Sequence, residues 1–319
     1  MKRAAALRSL SALMLAAPRP LAARAADETT VRVAYEPLNT LSAFYAALDA
    51  GFFRKSGLSV DAQPMNSGSA MGSAVVSGSV ELGVVNVLSL AQAYEKTVPL
   101  TYIAMASLYS SVSPADALMV PKGSPVASAR DLNGKTVAIN VLKGLAYLGT
   151  RTWLDRNGGD STTVRFVEMP FDAMPAALAS HLIDAALVAD PALQKAKQDS
   201  RVLSYAYNSI APTFLISGWV ASQSWVASHG DLARRFGDAL QEAQNWADRN
   251  PQKTAEISAR FLKMDVATLR SMARAPYPDK RRAVALAQPV IDAAAKYGVL
   301  RSAFPAAELF SRDVIRSGG

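Results

Sequence analysis

The sequence predicts an α/β fold made of two blocks in which strands and helices alternate. Between residues 31 and 106, four short apolar runs alternate with amphipathic segments. A second block of this kind spans residues 136–198, and from Ser222 onward the pattern is helical. Strands that alternate with helices are typical of mainly parallel sheets covered on both faces. We therefore expect two α/β lobes and a helical C-terminal region.

The first block is expected to contain four strands and three helices. Its helices begin at Asn, Ser or Thr, whose side chains accept hydrogen bonds from the free N–H groups of a first helical turn. The predicted strands are Val31–Tyr35, Leu58–Gln63, Val80–Val85 and Leu100–Ala106, and the predicted helices are Leu41–Asp49, Ser69–Ser77 and a segment from Asn86 to about Lys96.

The run Pro121–Pro125 interrupts the alternation, and we expect the chain to cross to its second lobe there. Thr213–Ala221 is extended and would return it to the first. Residues 26–117 and 215–319 would then form lobe I, and residues 118–214 lobe II. The predicted strands of lobe II are Thr136–Ile139, Val164–Glu168 and Asp184–Val188, its helices are Leu145–Arg156, Asp172–Ser180 and Ala192–Gln198, and the C-terminal helices are Asp231–Asn250, Gln252–Leu262, Val266–Ala273 and Arg281–Tyr297.

The pattern of residues 1–25 indicates a secretory signal peptide, with cleavage near Ala25. A basic start precedes the apolar run Leu10–Ala17, and Ala23–Ala25 forms a small-x-small cleavage site. The run is too short to span a membrane as a mature helix. An exported chain with neither membrane helix nor lipid anchor is most useful between two membranes, so we expect a periplasmic location. A disordered leader or a misassigned start codon is the alternative.

Composition narrows the possible functions. Residues 1–25 hold five basic residues and no acid, so their removal lowers the formal charge from +8 to +3. With this modest charge and no basic stripe interleaved with aromatics, nucleic-acid binding is not expected. The absence of cysteine excludes disulfides, thiolate metal sites and cysteine nucleophiles. His181 and His229 lie outside any metal-binding or triad pattern, so neither a cofactor nor a metal is expected.

Four motifs follow one another between residues 46 and 191. Each motif alone is weak, but their order and spacing make the set specific. The motifs are Ala46–Val60 with its Gly51-Phe52-Phe53 and Gly57-Leu58, Val76–Val84, Ser128–Ala138, and Ile183–Ala186 with Ala189-Asp190-Pro191. In this order they resemble the substrate-binding proteins of ABC importers for nitrate, sulfonates, taurine and thiamine-pyrimidine precursors.

This resemblance implies a periplasmic binding protein fold of type II, in which two parallel-rich sheets are joined by two crossing strands and close on a ligand about a hinge. It implies a small-molecule ligand (a sulfonate, a taurine-like compound, a carboxylate or a pyrimidine-like compound) and the permease subunits of an ABC importer as partners. A monomer fits this mechanism. The resemblance extends to pyrimidine synthases and desulfinases, but these enzymes depend on cysteine, which the chain lacks. A binding protein that feeds a sensor is a further alternative.

Ligands of such sheets bind outside the carboxyl ends of the strands. The sequence therefore predicts a ligand site at the loops that follow the strands, above all at the two loops that begin at Asn66 and Asn86. The candidate residues are Tyr35, Glu36, Asn39, Thr40, Asn66, Ser67, Gly68, Ser69, Asn86, Leu88, Ser89, Asn140, Lys143, Gly144, Leu145, Phe171, Asp190 and Thr213.

Each candidate also has a structural interpretation. The Asn/Ser loops can act only as helix caps, Lys143 can be a solvated surface charge, and Glu36 and Asp190 can be ordinary loop acids. If both acids face the cleft, they argue against a bare inorganic anion and for a ligand with an amine or several hydroxyls. For the polar head group we expect a sulfonate or a carboxylate first.

Overall fold

The computed structural model describes residues 28–65, 67–277 and 282–312. Within these ranges the chain forms two five-stranded sheets with helices packed against them. The predicted signal peptide, the candidate residue Asn66 and the predicted start of the last helix at Arg281 lie outside the described residues.

The first sheet has four strands that run in one direction and one reversed strand inside it. The order is β2-β1-β3-β10-β4, and β10 runs antiparallel to both of its neighbours. The strands are β1 (Thr29–Tyr35), β2 (Leu58–Pro64), β3 (Leu82–Asn86), β4 (Leu100–Ser110) and β10 (Thr213–Ser222).

The second sheet repeats this arrangement. The order is β7-β6-β8-β5-β9, with β6 parallel to β7 and β8, and β5 antiparallel to β8 and β9. The strands are β5 (Asp116–Pro121), β6 (Thr136–Ile139), β7 (Arg165–Glu168), β8 (Ala185–Ala189) and β9 (Ser200–Ser204).

Each sheet contains one strand that directly follows a crossing between the lobes. The chain leaves the first sheet after β4, crosses through residues 111–115 and enters the second sheet as β5. It returns through residues 205–212 and completes the first sheet as β10, as the sequence predicts for Thr213–Ala221. The outward crossing precedes Asp116 instead of falling at Pro121–Pro125, because β5 already pairs with β8 and β9.

The helices flank the sheets in the predicted order. In the C-terminal region α8 contacts β4 and β10, and α11 contacts β10, so this region covers the first sheet as expected. The helices are α1 (Ser42–Asp49), α2 (Phe52–Lys55), α3 (Gly68–Val76), α4 (Val87–Glu95), α5 (Leu145–Arg156), α6 (Met174–Ala179), α7 (Ala192–Ala196), α8 (Gln223–Arg249), α9 (Pro251–Leu262), α10 (Val266–Ser271) and α11 (Ala283–Lys296).

Several elements differ from their predictions, and α2 and β5 have no counterpart among the predicted elements. β9 is missing from the sequence prediction because its five residues carry only two apolar side chains and lie at a sheet edge. β4 continues four residues beyond Ala106, since its partner β10 pairs with it as far as Ser110. α8 begins at Gln223 instead of Asp231, because Ser222 caps a first segment that joins the rest through a non-helical His229.

The acids of two motifs have the same structural role in the two lobes. Glu81 precedes β3 and accepts the backbone N–H of Arg32 in β1, at 2.6 Å from Oε2. Asp184 precedes β8 and accepts the backbone N–H of Thr136 in β6, at 2.8 Å from Oδ2. Each carboxylate thus joins two neighbouring parallel strands, β1 and β3 in one sheet and β6 and β8 in the other, which explains an acid at this position without reference to a ligand.

Candidate ligand-binding site

A cleft lies between the two sheets at the carboxyl ends of their parallel strands. Residues of both lobes and of both crossings line it. This is the place that the sequence predicts, and it brings together candidates that are far apart in the chain. The predicted residues that line the cleft are Glu36, Thr40, Gly68, Asn86, Ser89, Asn140, Leu145, Phe171 and Asp190.

The first-lobe wall is formed by the adjacent N-termini of α3 and α4. Asn86 ends β3 and caps α4, and its Oδ1 accepts the backbone N–H of Ser89 at 2.9 Å. Gly68 begins α3, and a Cβ atom on it would come within 3.7 Å of Nδ2 of Asn86. Capping and cleft lining therefore coincide at Asn86. The positive ends of two helix dipoles point toward the same region, which favours a polar or anionic group there.

The second-lobe wall contains the N-terminus of α5. Asn140 and Val141 follow β6, and Leu145 is the first residue of the helix. Gly144 caps α5 without a side chain, and a Cβ atom there would lie 2.9 Å from the carbonyl oxygen of Val141. The glycine allows this tight turn, which places the start of α5 against the cleft.

The remaining described candidates lie behind or beside the cleft lining. Tyr35 and Leu88 are buried in the hydrophobic core, and Asn39 donates through Nδ2 to the carbonyl oxygen of Ala273 at 3.2 Å. Ser67 caps α3 by accepting the N–H of Ala70 at 3.3 Å. The others are Ser69, whose hydroxyl pairs with that of Ser67, Lys143 and Gly144 in the loop before α5, and Thr213 at the start of β10.

Sequence reasoning missed the lining that comes from the crossings and from the apolar core. Asp116 begins β5 directly after the first crossing, Tyr207 lies in the second, and Ser217 faces the cleft from the middle of β10. A search restricted to loops after strands cannot find them. The apolar lining residues missed are Leu38, Leu41, Met71, Val84, Val85, Ala115, Val141, Ala189 and Ile216.

Three carboxyl groups dominate the electrostatics of the cleft. Burial raises the pKa of Glu36 to about 7. Burial, and then the negative charge of Asp190, raise the pKa of Asp116 to about 7. Burial raises the pKa of Asp190 to about 6, although a hydrogen bond from Gln194 and the charge of Lys197 act in the opposite direction. All three groups therefore change charge near neutral pH.

No positive side chain balances these carboxyls within the cleft. Among the described residues that line it, none is Lys, Arg or His. Asp116 and Asp190 each have an Oδ2 atom that is buried without a hydrogen-bond partner in the described part of the chain. No group of three or more His, Cys, Asp or Glu among residues 28–65, 67–277 and 282–312 is placed to hold a metal ion. The cleft can therefore neutralise its charge by binding an organic cation or by taking up protons.

The family follows from a comparison of the sequence with protein-family models. The model described as NMT1/THI5 like matches residues 39–254, which span both lobes. The chain belongs to the NMT1/THI5-like family. This confirms the resemblance that the four motifs predict.

This NMT1/THI5-like chain has the fold of periplasmic binding proteins. The taurine-binding periplasmic protein of Escherichia coli (strain K12) is 28% identical over 232 residues, which cover 71% of this chain and 69% of that protein. The periplasmic nitrate-binding protein NrtA of Synechocystis PCC 6803 has a TM-score of 0.76 at 16% identity, covering 92% of this chain and 89% of that one. The two-lobed fold is thereby confirmed.

An enzyme shares the architecture as well. The desulfurization enzyme DSZB has a TM-score of 0.66 at 14% identity, covering 90% of this chain and 98% of that one. The fold alone therefore does not separate binding from catalysis. In the described part of the chain, no helix is long and apolar enough to cross a membrane.

Proposed function

We propose that this protein is the periplasmic substrate-binding component of an ABC importer, which captures a small organic solute between its lobes and delivers it to a membrane permease. Membership of the NMT1/THI5-like family, the likeness to the taurine-binding periplasmic protein and the fold of the nitrate-binding protein support this role. A cleft lined by both lobes and both crossings suits capture by hinge closure.

The ligand carries a protonated amine, and the carboxyl groups of Glu36, Asp116 and Asp190 bind it. One observation carries this part of the proposal: three carboxyls with raised pKa values, Asp190 buried and Glu36 and Asp116 half-buried, line a cleft whose described lining holds no basic side chain. Such a site repels a simple anion. The acids thus favour the amine alternative over the sulfonate or carboxylate that the sequence alone puts first.

A second, polar or anionic group on the same ligand has a natural position at the helix N-termini. Asn86, Ser89 and Gly68 lie there on the first lobe, and Asn140 lies on the second. A taurine-like zwitterion, with its ammonium at the carboxyls and its sulfonate at the helix starts, satisfies both regions. An aminopyrimidine satisfies the carboxyls through its basic ring and exocyclic nitrogens. The apolar residues between the two regions suit a short hydrocarbon segment.

We propose binding without chemical conversion. Among the described residues that line the cleft, no nucleophile is paired with a base, and the whole chain lacks cysteine. Carboxyls with raised pKa values also suit general acid–base chemistry, so an enzyme on the same fold is the second candidate. Delivery to a sensor protein instead of a permease would leave the site unchanged.

Three further features belong to this proposal. Residues 1–25 would direct export as a signal peptide, cleaved near Ala25. The hinge would lie in the crossings, residues 111–115 and 205–212, which mark the boundaries between the lobes. The protein would act as a monomer that binds no nucleic acid.

A thermal-shift panel tests the proposed function, because a ligand that binds only the native state raises the melting temperature. The panel contains taurine, alkanesulfonates without an amine, nitrate, aminopyrimidines and simple alkylamines. We expect stabilisation by amine-bearing compounds alone. Stabilisation by alkanesulfonates or nitrate at equal strength would contradict the amine site, and conversion of any bound compound would favour the enzyme.

A further inference from the structure

Helix α5 of the second lobe contacts the first lobe at two places outside the ligand cleft. Gln92 in α4 donates through Nε2 to the carbonyl oxygen of Lys143, just before α5, at 3.0 Å. Two turns further on, Arg151 in α5 donates through Nη1 to the carbonyl oxygen of Tyr297 at 3.3 Å. Because α4 and α11 pack on the first sheet, and α5 connects β6 and β7 of the second sheet, both contacts join the lobes.

The guanidinium of Arg151 is oriented by its own lobe and reaches the other. Its Nε donates to the hydroxyl of Ser161 at 3.1 Å, and Asp155 fixes that serine through both carboxylate oxygens. The guanidinium carbon lies 5.4 Å from the ring centre of Tyr147 and 5.7 Å from that of Tyr297. Two aromatic faces and a carbonyl therefore hold one cation between the lobes.

The position of Tyr297 strengthens this contact. Tyr297 follows the last residue of α11, a helix of 14 residues, and its carbonyl group lies at the negative end of the helix dipole. A cation at a helix C-terminus is stabilised by that dipole. Neither Arg151 nor Tyr297 lines the cleft, so this contact depends on the distance between the lobes and not on the identity of the ligand.

We propose that Arg151, held between Tyr147 and Tyr297, is a latch that stabilises the closed arrangement of the two lobes, with the Gln92–Lys143 hydrogen bond as its second point of attachment. Closing the latch brings the N-terminus of α5, with Leu145, over the cleft. Affinity scales with the population of the closed, binding-competent state. The latch should therefore increase the affinity for every ligand by the same factor.

The distance between the lobes tests the latch without any ligand. The chain has no cysteine, so Lys96→Cys on the first lobe and Lys195→Cys on the second, both exposed positions, accept a pair of fluorophores for energy transfer. In this background we expect Arg151→Gln to shift the population toward longer distances. Arg156→Gln, an exposed arginine of the same helix, is the matched control and should leave the distribution unchanged.

Affinity gives the second readout and rests on the proposed function. For any compound that stabilises the wild-type protein, Arg151→Gln should weaken binding about five- to twenty-fold, as loss of a charged hydrogen bond and two cation–π contacts implies. Tyr297→Leu, on the opposite lobe, should weaken it about two- to five-fold. Equal factors are expected for different ligands.

The outcomes separate the two proposals. If no compound binds, the ligand class fails while the fluorescence experiment still tests the latch. If Arg151→Gln changes neither the distance distribution nor the affinity, the latch is wrong. If it lowers affinity without changing the distance distribution, Arg151 acts only within its own lobe, and the latch is again wrong.

Discussion

Asp116 and Asp190 carry neighbouring buried carboxyl groups, although 74 positions separate them in the chain. Asp116 begins β5 and pairs with Ala189, the last residue of β8, and the backbone N–H of Asp190 donates to the carbonyl oxygen of Ala115 at 2.9 Å. Each aspartate has one buried oxygen without a partner in the described chain. We propose that this pair, together with Glu36, determines which ligands bind in the cleft.

Replacing either aspartate by the isosteric amide should abolish amine recognition with little harm to the fold. For Asp116→Asn or Asp190→Asn we expect about thirty- to thousand-fold weaker binding of an amine ligand, as for loss of one member of a buried charge pair. The free energy of unfolding near pH 8 should stay equal or rise, because a buried negative charge is removed. Calorimetry of binding and denaturant titration measure the two effects.

The exposed Asp199 provides the control for these variants. Asp199→Asn removes the same charge from the protein without touching the cleft and should leave both quantities unchanged. Unaltered amine binding in Asp116→Asn and Asp190→Asn together would contradict the proposed site.

The raised pKa values of the cleft carboxyls predict a pH dependence with opposite signs for stability and binding. Glu36 and Asp116, at about 7, and Asp190, at about 6, bind protons in the folded state that the unfolded chain has already released. Their contribution to the free energy of unfolding should therefore fall as pH rises from about 4 to about 7. Binding of a cation favours the ionised carboxyls, so amine affinity should rise over pH 5 to 7.5.

Calorimetry in buffers of different ionisation enthalpy checks this directly, because amine binding at pH 6 should release protons to the buffer. The increase in affinity should reach up to about tenfold per pH unit for each proton released. Affinity that is constant over this range, or that falls with rising pH, would show that the carboxyls do not face the ligand.

Substitutions of the residues that cap α3 and α4 should have similar effects on stability but different effects on ligand binding. Ser67→Ala removes the cap of α3 and should cost about 1 kcal/mol of stability while binding changes less than about twofold, since Ser67 does not line the cleft. Asn86→Ala removes the cap of α4 and should cost a similar amount of stability. It should also weaken binding, because Asn86 lines the cleft. Thermal unfolding and affinity, measured on both variants, test this contrast.

Gly149 in α5 is expected to tolerate no side chain. A Cβ atom there would lie 2.4 Å from Cδ1 of Tyr207, a buried residue of the second crossing. Gly149→Ala should therefore destabilise the protein by about 1–3 kcal/mol, despite the better helix propensity of alanine. Gly123→Ala, where the space around Cβ is open, should stay within about 0.5 kcal/mol of the wild type. Denaturant titrations of both variants measure the difference.

The sequence predicts most of this fold because its signals are local. Alternating apolar residues mark β1 and β2, and glycines such as Gly51, at a φ of 76°, mark the turns between elements. The edge strand β9 escapes prediction, because a half-exposed strand needs few apolar residues. The start of α8 escapes as well, since the break at His229 hides the continuity of the two helical segments.

The site is only partly predictable from the sequence. Glu36, Asn86 and Asp190 follow strands and are found by that rule, whereas Ser67 obeys the same rule and serves α3 as a cap. Asp116 is the first residue of a strand, so a search restricted to loops that follow strands does not include it. Its cleft position arises because β5 directly follows the first crossing and enters the second sheet beside β8.

The sequence by itself determines two α/β blocks and their family, and it predicts a site of small polar residues at the strand ends, because hydrophobic periodicity, caps and motifs are encoded over neighbouring residues. The tertiary structure decides the charge of that site. Whether two distant acids meet depends on strand order and register, which no local pattern specifies. Here β5 enters the second sheet antiparallel to β8, so Asp116 and Asp190 are buried side by side in the cleft.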